Sequence, residues 1–118
     1  MNVLLIIRNP PVNVALHRIV LGLVDRLITE KKVNLTGLFL TDDACILSSA
    51  SLKEIDELHS IQLGYMEVSR KINAPILVCG RALTEHGIDR TNVAECFEIS
   101  GNVELSMNIF NADKVIEF

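Results

Sequence analysis

The chain has 118 residues, a formal net charge of −4 and 49% hydrophobic residues, enough for one domain spanning 1–118 to bury a core without disulfides or metal. Its 11 basic residues are dispersed rather than gathered into a stripe, which argues against direct contact with nucleic acid. No apolar run approaches the roughly 18 to 20 residues that cross a bilayer, and Val3–Ile7 is too short for a signal-peptide core, so the expectation is a cytoplasmic protein with no membrane partner.

In chain order, Val3 to Arg8 is an almost uninterrupted apolar run halted by Asn9-Pro10-Pro11, the pattern of a strand buried on both faces followed by a turn. From Asn13 to Glu30, Leu16, Ile19, Val20, Leu23 and Leu27 recur at helical spacing, which predicts an amphipathic helix. Val33 to Leu40 reads as a second strand, closed by Thr41-Asp42-Asp43. Ser51-Leu52-Lys53-Glu54 has capping-box form and predicts the start of a long helix. Ile55, Leu58, Ile61, Tyr65 and Ile72 continue its apolar face until Asn73-Ala74-Pro75 ends it.

Ile76 to Val78 is the third strand, with Cys79-Gly80 at its C-terminal lip and a short helix over Arg81 to His86 stopped by Gly87. Asn92 to Ser100 is ambiguous between element types. Asn102 to Asn111 reads as a helix with Asn102 as its cap, and Lys114 to Phe118 closes the chain as a strand. The alternation predicts an α/β fold, a mainly parallel sheet with helices on both faces. Ligand and catalytic groups of such sheets gather beyond the carboxyl ends of the strands. Asn9-Pro10-Pro11, Thr41-Asp42-Asp43 and Cys79-Gly80-Arg81 all fall there. The high apolar content further predicts surface hidden in subunit contacts.

Three cysteines, Cys45, Cys79 and Cys96, are an odd number at wide spacing, which fits reduced thiols better than a disulfide framework. Cys79 stands where a strand gives way to a helix, so helix amides and Arg81 are placed to favour a thiolate, and Gly80 leaves room for an approaching donor. A second reading stays open on the same residues: a small buried hydrophobe. His86 is the candidate proton partner or cationic neighbour of Cys79, against a helix-terminal role. Cys45, just past the second strand, is either a second thiol or core packing, with packing favoured, and Cys96 reads as core. His17 and His59 are expected at the core edge or partly exposed. Asp42 and Asp43 read as turn residues rather than an acid-base or magnesium pair. No cysteine or histidine pair has zinc-knuckle spacing and no phosphate-binding glycine loop occurs, so neither metal nor nucleotide cofactor is expected.

The segment Cys79-Gly80-Arg81-Ala82-Leu83-Thr84-Glu85-His86-Gly87-Ile88, preceded by Ile76-Leu77-Val78, resembles the part of DsrE/TusD sulfur-relay (DsrE/DsrF-like) proteins in which a cysteine lies eight residues before a glycine. The strand leading to Pro10-Pro11, Asp43-Ala44 after the second strand, and the ending Ala112-Asp113-Lys114-Val115-Ile116-Glu117-Phe118 are similar to that family too. Asn9 and Val12-Asn13 stand where small glycine-rich residues are usual, and His86 where an arginine is common. The resemblance implies flavodoxin-like layering and a sulfurtransferase or sulfur-carrier subunit. Its Cys79 would take sulfane sulfur as a persulfide and pass it on, without a cofactor. It also implies sulfur donor and acceptor proteins as partners, and a homo-trimer, a homo-hexamer or a hetero-oligomer with related subunits. The alternative is a non-catalytic oligomeric binding or assembly protein of the same fold.

Overall fold

In a computed structural model describing residues 1–118, five strands form one sheet in the order β4-β3-β2-β1-β5, and every neighbouring pair is parallel. β1 (Asn2–Ile7) lies between β2 (Asn34–Leu40) and β5 (Lys114–Glu117), which is why its run from Val3 to Ile7 has no exposed position. β3 (Ile76–Cys79) follows β2, and β4 (Phe97–Ser100) forms the far edge.

The chain walks from β1 through β2 and β3 to β4 in one direction, then returns across the sheet to β5. Right-handed crossovers therefore set α1 (Val14–Glu30) and α2 (Asp56–Ile72) on one face and α4 (Asn102–Asn111) on the other. α1 and α2 pack on each other, close enough at Gly64 that an added Cβ would stand 2.6 Å from Leu21 Cδ1. α4 lies against β1. The mainly parallel α/β sheet with helices on both faces is thus the observed architecture.

Several local readings shift. The stripe of α1 that enters the core is His17, Val20 and Val24, while Ile19 is exposed, because the helix rolls to bury His17 under the β1–α1 loop. Residues 42–54 form two 3₁₀ helices, Asp42–Ser48 and Ala50–Glu54, before α2 begins at Asp56. The predicted capping box at Ser51 does not form. Instead Ser49 Oγ accepts from the Ser51 amide, and the extended Ile55 separates that turn from α2. The ambiguous stretch before Ser100 contains β4, whose mixed burial follows from its place at the sheet edge. Cys96, expected in the core, is half-buried at the turn entering β4, with φ 72°. Asn102 does not cap α4; Gly101 holds the cap position and no side chain bonds there.

Candidate functional site

Cys79 ends β3, and α3 (Gly80–Glu85) starts at the next residue, so Cys79 occupies the N-cap position before amides that have no intrahelical acceptor. In the ladder it pairs with Ser100 of β4, and residues in register share a face of the sheet. Beside it opens a cleft of about 330 Å³ lined by Thr41, Asp42, Cys79, Arg81, Ala82, Glu85 and Asn102. Three elements converge on it: the end of β2, the strand-to-helix turn at Cys79, and the first residue of α4. Cys79 is its thiol and is 8% exposed.

The neighbours expected to support Cys79 have partners of their own, while Arg81 also lines the cleft. Arg81 donates from Nε to Glu85 Oε1 at 3.0 Å, one turn along α3, and both side chains are well exposed. His86 donates from Nδ1 to the Ala82 carbonyl at 2.9 Å and from Nε2 to Asp43 Oδ1 at 2.8 Å. The hydrogen bond accepted by Asp43 raises the His86 pKa, helped by the one accepted by the Ala82 carbonyl. The space left by Gly80 is already filled: an added Cβ would lie 2.9 Å from Arg90 Nη2 and 3.1 Å from Ile99 Cγ2. Gly80 therefore serves close packing of the 86–96 loop and β4.

Cys45 is fully buried in the first 3₁₀ helix, and burial pushes its thiol up to about 11, with Asp43 and Cys79 adding to the effect. It is protonated at neutral pH. Cys96 borders a separate depression with Pro75 and Asn73, at the opposite end of β3 from Cys79. No group of three His, Cys, Asp or Glu side chains is arranged to hold a metal ion.

Two further features were not legible in the sequence. The Asp42 backbone has φ 50°, a left-handed conformation, and its carboxylate accepts from Arg8 Nη1 at 3.0 Å while Arg8 Nη2 donates to Glu117 at 3.0 Å. These bonds, Glu117 first, raise the Arg8 pKa. One wall of the cleft is thereby pinned to the ends of β1 and β5. Asn102, read only as a cap, lines the cleft because α4 returns over the sheet from β4.

An all-parallel α/β sheet with one of its three thiols lining a cleft beyond the C-terminal edge defines an α/β domain that presents a cysteine at the ligand-binding end of its sheet. The family model described as "DsrE/DsrF-like family" matches residues 1–118, and the chain belongs to that family, whose proteins generally act in sulfur relay with partner proteins. Among solved structures, the crystal structure of the ychN protein from E. coli is similar in fold, with a TM-score of 0.72, 23% identity and 100% of each chain covered. No curated protein matches the chain in sequence.

Proposed function

We propose that this protein is a sulfur carrier that accepts sulfane sulfur on Cys79 as a persulfide and hands it to a partner protein. The observation that carries the reading is the position of Cys79, which lines the cleft beyond the carboxyl end of the sheet while Cys45 is sealed in the core and Cys96 lies at the other end of β3. The Cys79 thiolate attacks the outer sulfur of a donor persulfide, R–S–SH. The Cys79–sulfur bond forms as the donor S–S bond breaks, the electron pair leaves with the donor as R–S⁻, and the outer sulfur keeps its proton. An acceptor thiolate removes the sulfur by the same exchange in reverse. No net oxidation occurs and no cofactor is needed.

The test is intact mass after exposure to a low-molecular-weight persulfide and to donor proteins. The native chain should gain one sulfur atom, as should Cys45→Ser and Cys96→Ser, while Cys79→Ser should not. Absence of sulfur at Cys79 with every donor overturns the proposal.

A second reading, a non-catalytic assembly protein, is favoured by one observation. α4 has no buried residue, and Val103, Met107 and Phe110, three and four residues apart, are 75%, 61% and 88% exposed. It predicts that Cys79→Ser leaves assembly, measured by light scattering, unchanged and that native Cys79 resists thiol labelling near neutrality.

A further inference from the structure

The two walls of the Cys79 cleft come from distant parts of the chain: Thr41 and Asp42 follow β2, and Arg81, Ala82 and Glu85 belong to α3. Just past the ends of both walls, one side-chain pair ties them together. His86 follows α3 and reaches 43 residues back to Asp43, while its other ring nitrogen holds the α3 carbonyl of Ala82. A backbone carbonyl and a carboxylate both accept, so the two bonds together select the doubly protonated imidazolium. The ring is 27% exposed and the Asp43 side chain 61%, so the pair is only partly shielded from water.

On the turn side, Arg8 bridges Asp42 and Glu117, each at 3.0 Å. On the other side, Gly87 follows His86 with φ 66°, a conformation that suits glycine and marks the point where the loop leaves α3. Cys79 lines the same cleft and is 8% exposed, so little of it is open to an arriving sulfur.

We propose that the Asp43–His86 pair is a latch that joins the walls of the cleft and sets the access of a partner's sulfur to Cys79, a role that rests on the reading of Cys79 as the working thiol. His86 and Asp43 are positioning residues; neither touches the transferred atom. The charged groups that bear on His86 are Asp43 on the turn and Glu85 on α3, the latter engaged by Arg81. Asp42, next to Asp43, is engaged by Arg8. The latch is strongest while His86 carries its charge and loosens as pH rises through the His86 titration.

The experiment measures the rate of N-ethylmaleimide addition at Cys79 of the full chain, located by peptide mapping and corrected for the thiolate fraction read from ultraviolet absorbance. Wild type, Asp43→Asn and His86→Gln are compared across the His86 titration, which imidazole NMR signals locate in the wild type. Both variants should label about threefold faster than wild type on the acid side, the scale of a partly shielded ion pair, and the gap should close as His86 loses its proton. Equal rates at every pH, or an offset that does not change with pH, overturn the latch. Sulfur loading is followed in parallel. Faster labelling without sulfur on Cys79 from any donor sinks the carrier reading and keeps the latch. Loading at Cys79 with labelling unmoved by either variant does the reverse.

Discussion

The Tyr65 hydroxyl donates to Nδ1 of His17 at 2.8 Å, and both side chains are 0% exposed. The rings meet edge to face at 5.8 Å. On its other side the His17 ring donates from Nε2 to the carbonyls of Asn9 and Pro10 at 3.0 and 2.9 Å, since carbonyls only accept. One imidazole thus fixes α1, α2 and the proline turn after β1 around a single neutral tautomer.

Tyr65→Phe leaves His17 Nδ1 without a donor in a dry site. We expect a loss of about 1–3 kcal/mol in unfolding free energy, the cost of an unsatisfied buried group, read from the midpoint of a urea transition. An unchanged midpoint would show that the bond contributes nothing.

The pH dependence of stability should be two-sided, because the two histidines are shifted in opposite directions. Burial lowers the His17 pKa from 6.5, so the unfolded chain binds a proton that the folded chain refuses. That contribution is complete above the unfolded value and is lost as pH falls below it. The hydrogen bond with Asp43 raises the His86 pKa from 6.5, so its contribution is complete below the unfolded value and is lost as pH rises through the folded one. His86→Gln should remove the decline on the neutral side and leave the acid-side decline intact. Denaturant midpoints from about pH 5 to 8, the histidine window, test this.

Cys45 should resist alkylation in the native protein at neutral pH, because it is fully buried and its thiol is pushed up to about 11. Cys45→Ser should cost about 1–3 kcal/mol, since a hydroxyl replaces sulfur in an apolar site, with no loss of sulfur loading at Cys79. Rapid native labelling of Cys45 would contradict its burial.

Gly80→Ala forces a methyl against Arg90 and Ile99. Arg90 is exposed and can swing away, whereas Ile99 is packed against the core. The expected cost is about 1–2 kcal/mol, in the range of overpacking. Combining it with Ile99→Val should be less damaging than the sum of the two single changes, while combining it with Arg90→Ala should be close to additive. Thermal unfolding of the single and double variants measures both couplings.

Much of the fold was legible because its signals are local. The continuous apolar run at Val3–Ile7 marks a strand buried on both faces, and proline at Pro75 ends α2 on steric grounds wherever the chain is placed. Cys79 at the junction of an apolar run and a short helix could likewise be placed at a strand's C-terminal lip from sequence. β4 was not legible, since an edge strand of mixed burial has neither a clean alternation nor a continuous apolar run. His17 was misjudged because periodicity gives the spacing of a helix face but not which neighbouring groups will satisfy a polar ring inside it.

Local patterning along the chain is enough to specify the α/β alternation and the strand that ends in Cys79. What surrounds that thiol, and why glycine must follow it, depends on the assembled sheet. Arg81 turns to Glu85 on its own helix, His86 reaches Asp43 across 43 residues, and Asn102 arrives at the cleft from the return crossover. The physical reason is range: helix and strand periodicities act over a few residues, whereas ion pairs and cleft walls depend on which strand ends the parallel sheet sets side by side.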